Sequence, residues 1–273
     1  MQVGIVAQKG NPRAAYLADD IREALSDRDV TVWLDEATAT ALGADGYGMD
    51  RFESCDCIVA IGGDGTFLYA AHHAGGTPIL GVNLGEVGFL NAISPDDAEE
   101  AILETVEALQ AGEGTVREVP RLVARTDEWA SSPAANEIVV QGPRRGRGGG
   151  VDYEIRVDGS LYSGGHADGV IVATPTGSTA YNLSERGPIV HPGVDTIIVN
   201  EMVAERGMPP LAVPLDRTVS VTLTGAETGV VVSDGRDPKE LSVPVEIAIE
   251  RSGPPMRMAG PSPDFFEALG KLS

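Results

Sequence analysis

The chain has 273 residues, 42% of them apolar, enough for one large or two ordinary domains with buried cores. That composition excludes wholesale disorder, and no apolar run approaches the roughly 20 residues that span a bilayer. Its 41 acidic against 20 basic residues give a net charge of −21, a surface that repels nucleic acid and anionic lipid and so argues against both as partners.

Lys9, Lys239 and Lys271 are the only lysines. So acidic a chain implies a salt-rich cytoplasm, where screening removes its self-repulsion, and hence a halophilic source. The opening Met1-Gln2-Val3-Gly4-Ile5-Val6 lacks the basic and apolar segments of a secretion signal, so a cytoplasmic location without membrane attachment is expected. Cys55 and Cys57 are too few and too close for a disulfide framework and read as small core residues.

Taken in order, Val3–Ala7 reads as a buried strand, Pro12–Leu25 as an amphipathic helix, Val30–Leu34 and Cys57–Ile61 as further strands. A helix over 66–74, a strand Ile79–Val82 and a helix Pro95–Ala111 follow, and such alternation predicts a parallel sheet with helices on its faces. After Gly112-Glu113-Gly114 the texture becomes short β-rich runs: 116–126, 136–141, 151–158, 169–174, 196–199, 218–224, 229–233 and 243–250. The stretch 142–150, with Arg144, Arg145 and Arg147 among its glycines, reads as a flexible hairpin tip. The tail Asp264–Leu272 returns to helical character. The expected domains are therefore 1–115, α/β, with the tail helix 264–272 packed back on it, and 116–263, β-rich.

Two motifs carry chemistry. Ile61-Gly62-Gly63-Asp64-Gly65-Thr66 lies at the carboxyl end of a predicted strand and opens a helix. Open α/β sheets take ligands there, and helix amides favour phosphate. It is neither a Walker A loop nor a Rossmann fingerprint. The second motif, Asp168-Gly169 through Thr174-Pro175-Thr176-Gly177-Ser178-Thr179-Ala180-Tyr181-Asn182-Leu183-Ser184, runs from a strand into a hydroxyl-rich turn and a short helix near Ser178. Tyr181 supplies an aromatic face suited to adenine or ribose.

Together these motifs resemble the NAD kinase family, ATP- or polyphosphate-dependent, and the charge adds the expectation of a halophilic archaeon. The resemblance extends through Asn83–Leu90, Asn136-Glu137, Gly187–Pro192, Asp234-Gly235 and Phe265–Leu272, in the family's order. It implies a Rossmann-like α/β domain and a β-sandwich-like domain that binds NAD, a homodimer or homotetramer, and phosphorylation of the 2'-hydroxyl of the adenosine ribose. By the same resemblance Asp64 is the catalytic carboxylate, and Gly62, Gly63 and Gly65 approach the donor phosphates and nucleotide. Asn136 and Glu137 would bond ribose, Phe89 and Tyr181 would pack beside adenine, and Thr176 with Thr179, Ala180, Asn182, Leu183 and Ser184 would line the adenosine pocket. His166 and Asp168 would reach the second nucleoside. Mg²⁺ or another divalent cation is expected chiefly through the donor's phosphates, with no protein ligand assigned.

The chain departs from the family at Glu185-Arg186-Gly187, where small residues are usual, and at 209–217, which lacks Pro-His and Arg-Pro signatures. Two other readings stay open, a non-catalytic NAD(P)-binding paralogue and a kinase of a lipid or sugar. Asp64 weighs against the first, and the acidic surface and hydroxyl-rich motif against the second.

Overall fold

The strand and helix periods of the first hundred residues resolve into a wound sheet. The computed structural model describes residues 1–85, 88–146 and 148–272, so Glu86 and Val87 of the 83–90 motif and Arg147 of the arginine-rich loop lie outside the described residues. In chain order the first elements are β1 (Gln2–Ala7), α1 (Pro12–Ser26), β2 (Thr31–Leu34), α2 (Glu36–Leu42), β3 (Cys57–Gly62), α3 (Asp64–His73), β4 (Ile79–Asn83), α4 (Ala98–Gln110) and β5 (Val116–Val119). Helix α1 starts sharply because the Asn11 side chain accepts from the amides of Arg13 and Ala14 and Pro12 fixes the first turn. Its Ala14, Ala18, Ile21 and Leu25 form one buried stripe against Val3, Ile5, Val59 and Ile61 of the sheet.

The chain then builds β6 (Leu122–Arg125), β7 (Glu137–Gln141), β8 (Val151–Val157), β9 (Ser160–Ala167), β10 (Gly169–Ala173), α5 (Tyr181–Ser184), β11 (Thr196–Met202), β12 (Leu211–Pro214), β13 (Val219–Thr224), β14 (Thr228–Ser233), β15 (Arg236–Ser242) and β16 (Val245–Arg251). It closes with β17 (Met256–Ala259) and α6 (Phe265–Gly270). Among the described residues the first sheet has the order β2-β1-β3-β4-β17-β5, parallel from β2 to β17, with β5 antiparallel at its edge. The other two sheets, β12-β11-β10-β7-β14-β15 and β6-β16-β13-β8-β9, are antiparallel.

Two compact units result, Met1–Val119 with Pro255–Ser273, and Pro120–Pro254. Residues 116–119 and 255–263, assigned to the second domain from sequence, lie in the first unit because β17 pairs between β4 and β5. The run 116–126 is thus two strands of different sheets, parted at Pro120-Arg121.

In the second unit the inward residues of both sheets form one sandwich core, with Ile138, Val140, Val170 and Val172 meeting Val151, Ile155, Val221 and Ile247. The alternate residues Val139, Ile171 and Ala173 cover the opposite face, where Tyr181 and Val190 pack. Strand β10 is buried on both faces for that reason, and the hydroxyl-rich turn is held against its outer side.

Candidate active site

Strand β3 delivers the first cluster. Gly63 sits at the N-cap of α3 without a side-chain cap, and Asp64, the first helical residue, turns across to the segment after β4. Its Oδ2 accepts the Phe89 amide at 3.0 Å, and Oδ1 accepts the Leu90 amide at 3.2 Å and Asn91 Nδ2 at 3.0 Å. A carboxylate offers about four acceptor positions, so Oδ2 retains capacity for a further donor. Burial pushes the Asp64 carboxyl up, against the opposing pull of the Phe89 and Leu90 amides and the Asn91 groups. Asn91 reaches this position because β4 has Gly81 beside it, where a Cβ would lie 2.3 Å from Asn91 Oδ1.

The three glycines of the turn divide. At Gly62 a Cβ would lie 2.5 Å from Thr66 Oγ1 and 2.9 Å from the Gln8 Cβ, which is internal packing. Gly63 and Gly65 face nothing within 4 Å, so their bare backbone is open for a ligand. The Phe89 ring stands 5.9 Å from that of Phe265, at the start of α6.

The second cluster lies where β7, β10 and the β14–β15 turn meet. Asp234, in left-handed backbone at φ 46°, accepts the amides of Ala135 at 2.7 Å, Asn136 at 2.8 Å and Glu137 at 3.1 Å. The Asn136 carbonyl accepts the Thr174 amide at 2.8 Å. Thr174 Oγ1 donates to the Ala135 carbonyl at 2.6 Å and accepts the Gly177 amide at 3.1 Å. Gly177 must be glycine here, since a Cβ would stand 2.0 Å from the Asn136 oxygen.

Glu137 is 6% exposed, accepts the Tyr181 amide, and leaves its buried Oε2 without a partner. Burial first, and then the charge of Asp234, push its carboxyl up to about 8, against the pull of that amide.

The density of hydroxyls in 174–184 has two causes. Ser178 bonds both backbone groups of Val190, and the Asn182 amide donates to the carbonyls of Ser178 and Pro188, so both serve the turn itself. Thr176, Thr179, Ala180, Tyr181 and Leu183 stay half-buried and Ser184 exposed, which leaves them able to meet a ligand. The turn is a 3-10 segment, Thr176–Thr179, followed by the single helical turn of α5. At the family departure, Arg186 takes φ 62°, a conformation glycine adopts without strain.

His166 and Asp168 act on the loop 142–150. His166 Nδ1 lies 2.8 Å from Asp152 Oδ1 and Nε2 lies 3.0 Å from the Gly149 carbonyl, and both neighbours push its pKa up. Both Asp168 oxygens accept the Gly146 amide, at 2.9 and 3.0 Å. The loop read as a flexible tip from its glycines makes these bonds at Gly146 and Gly149. Its Arg145 donates to the Tyr181 hydroxyl at 2.6 Å, with the guanidinium 5.4 Å from the ring centroid.

Residues 3–109 match the family described as the ATP-NAD kinase N-terminal domain, and residues 135–259 its C-terminal domain. The chain is 62% identical over 275 residues to an NAD kinase of Halorubrum lacusprofundi, with 100% of each chain covered. It belongs to the NAD kinase family. Another member, from Haloarcula marismortui, is 54% identical over 283 residues, again with 100% of each chain covered. The crystal structure of an NAD kinase from Archaeoglobus fulgidus in complex with ATP superposes with a TM-score of 0.80 at 30% identity, over 100% of this chain and 98% of that one.

Within this NAD kinase fold, sequence reasoning missed three residues. Asn91 follows directly on the 83–90 motif and holds Asp64. Asp234 stood in a recognised Asp-Gly pair without a role, and Arg145 in a loop read as mobile. Only Asp234 had a usable signal, its Asp-Gly turn chemistry.

Proposed function

We propose that the protein transfers a phosphoryl group from ATP, or another phosphoryl donor, to the 2'-hydroxyl of the adenosine ribose of NAD, giving NADP. The observation that carries this reading is Asp64, a carboxylate at the end of β3 oriented by three donors, raised by burial and flanked by the bare backbone of Gly63 and Gly65. An unassisted ribose hydroxyl is a weak nucleophile at neutral pH. With its proton passing to Asp64 Oδ2, the hydroxyl oxygen bonds to the terminal phosphorus while the bond to the donor's bridging oxygen breaks and ADP leaves.

Glu137 Oε2 and Asn136 are assigned to ribose hydroxyls, Tyr181 and Phe89 to the adenine, and Thr176, Thr179, Ala180, Leu183 and Ser184 to the pocket edge. Two of the implied roles change. Asn182 positions the turn, and His166 and Asp168 act by holding the loop that places Arg145 against Tyr181. Among the described residues no group of three or more His, Cys, Asp or Glu side chains is arranged to hold a metal ion. A divalent cation is therefore proposed to enter with the donor's phosphates, and no step is routed through it. The halophilic relatives and the net charge support a salt-rich cytoplasm as the working medium. Assembly as a homodimer or homotetramer belongs to the same reading.

The test is NADP formation from NAD, ATP and Mg²⁺ across 0.1 to about 3 M KCl, with Asp64→Asn in parallel. The variant should lose about 10²- to 10⁴-fold in kcat while NAD binding stays within about threefold. Activity in the variant equal to the parent, or no NADP from folded parent at any salt, overturns the assignment. Asparagine turns one NH₂ toward the Phe89 or Leu90 amide, so NAD binding is measured on the same preparation.

A further inference from the structure

In the second unit the loop 142–150 brings Arg145 to the ring proposed for adenine. Arg145 donates to the Tyr181 hydroxyl at 2.6 Å and, through Nε, to Gln141 Oε1 at 2.8 Å, with its guanidinium 5.4 Å from the Tyr181 centroid. The Glu185 carboxylate, one of the chain's departures from the family, acts on the same hydroxyl. The backbone on either side of Arg145 is bonded across the loop. The Arg144 carbonyl accepts the Gly150 amide at 2.7 Å, and the Gly146 carbonyl accepts the Gly149 amide at 2.8 Å. A displacement of Gly149 therefore reaches the two residues that flank Arg145.

His166, half-buried on the edge strand β9, meets Gly149 from outside the loop. Its Nε2 lies 3.0 Å from the Gly149 carbonyl oxygen, and its Nδ1 lies 2.8 Å from Oδ1 of Asp152, its cross-strand partner on β8. A carboxylate and a carbonyl accept hydrogen bonds and have no hydrogen to give, so both ring nitrogens face acceptors. A neutral imidazole carries one N–H and one lone pair and can serve one of the two, whereas the imidazolium serves both. The neutral ring would keep its hydrogen toward the charged Asp152, the stronger acceptor, and turn the Nε2 lone pair on the Gly149 oxygen. The neighbouring groups favour the ion. Asp152 first, then the Gly149 carbonyl, and also the charge of Glu205, whose amide donates to the His166 carbonyl at 3.0 Å, raise its pKa above the ordinary 6.5, against a smaller effect of burial. Asp168, two residues on, accepts the Gly146 amide with both oxygens.

We infer that His166 is a positioning residue that works as an imidazolium, joining Gly149 to Asp152 so that Arg145 is held on Tyr181, and that loss of its proton frees the loop and weakens NAD binding. The inference rests on the NAD-binding reading above and deepens it, because it makes affinity for the dinucleotide depend on a proton that the reaction does not transfer. The sign follows from the two bonds. Below the His166 pKa both are made and NAD is held tightly. As pH rises through that pKa the bond to Gly149 is lost, Arg145 spends less time on Tyr181, and affinity falls. Glu137, whose carboxyl is pushed up to about 8, titrates in the same site and adds its own dependence, so the test compares chains that share Glu137.

The experiment is equilibrium binding of NAD between pH 6 and 9, in about 2 M KCl, to the parent chain, His166→Ala and Asp152→Asn, with the His166 ring nitrogens followed by ¹⁵N NMR on the same samples. At pH 6 both nitrogens should carry hydrogen, and His166→Ala should bind NAD about tenfold more weakly than the parent. By pH 9 the two affinities should converge. Asp152→Asn, at an exposed position, should lower the His166 pKa read by NMR by about one unit and move the fall in NAD affinity to lower pH with it. A constant ratio between parent and His166→Ala across the range, which a merely structural histidine gives, overturns the inference. So do equal affinities at pH 6, a ring with a single protonated nitrogen there, or a fall in affinity that stays in place while the NMR pKa moves. NADP formation by the parent is scored separately. A parent that binds NAD in the expected pattern without making NADP rejects the kinase reading and keeps the role of His166, one that makes NADP with a constant ratio does the reverse, and one that binds no NAD at any pH overturns both.

Discussion

Asp64 and Glu137 are both carboxyls raised by burial, but one has donors on both oxygens and the other has an oxygen with none. That difference separates their behaviour with pH. The folded-state pKa of Glu137, about 8, lies above its ordinary value of 4.5, so its contribution to stability is complete below about 4.5 and is lost as pH rises through 8. Between pH 5 and 9 the urea midpoint should therefore fall, by the equivalent of a few kcal/mol (roughly 1.4 kcal/mol per unit of pKa difference). In Glu137→Gln that decline should flatten, and a parent midpoint independent of pH would show that Glu137 is ionised throughout. Gly177 is the steric counterpart. Gly177→Ala forces a methyl against the Asn136 carbonyl, at a cost of about 1–3 kcal/mol, and should raise the KM for NAD by displacing Asn136 and Glu137 together. A variant with unchanged melting temperature and KM would show that the turn yields without consequence.

At the scale of elements, continuous apolar runs were legible in the sequence as strands, and strands of charged, glycine-rich or mixed composition were not. Val3–Ala7, Cys57–Ile61 and 169–174 are apolar runs because their faces are covered, and they appear as β1, β3 and β10. Strand β15, Arg-Asp-Pro-Lys-Glu-Leu-Ser, is an exposed sheet edge where charge and a proline discourage further pairing, so its sequence carries no strand period. Strand β9, with two glycines and His166, is another edge strand without a clear strand period. The candidate site was legible where local motif and chemistry coincide, as at Gly62–Thr66 and Asn136-Glu137. It was not legible where a side chain works across the chain, since Asn91 on Asp64, Asp234 on residues 135–137 and Arg145 on Tyr181 depend on contacts that no spacing encodes. The loop 142–150 shows the same limit, because glycine content reports freedom but not the bonds that Asp168 and His166 make to Gly146 and Gly149.

For the whole molecule, the net charge of −21 is expected to make stability depend on salt. The Debye length falls from about 10 Å at 0.1 M salt to about 3 Å at 1 M, so repulsion between carboxylates on neighbouring turns is removed only in the molar range. The melting temperature should climb by about 10 °C or more from 0.1 to 2 M KCl, and NaCl at equal ionic strength should act comparably. A melting temperature that stays level across that range would show that the acidic surface is not what ties this fold to salt.

The first sheet leaves a gap between β4 and β5 that only β17 fills, and β17 arrives after the whole second unit. During vectorial synthesis, then, a ribosome releases the Asp64 turn early but cannot release the strand that joins β5 to its sheet until residue 259 has cleared the exit tunnel. The sandwich waits for a late strand as well, since β16 joins β6 to β13, so neither unit closes its sheets until the last strands emerge. A released chain truncated after residue 254, which has β16 but lacks β17, should therefore show a protease-resistant 120–254 fragment attached to a first unit that is still cleavable.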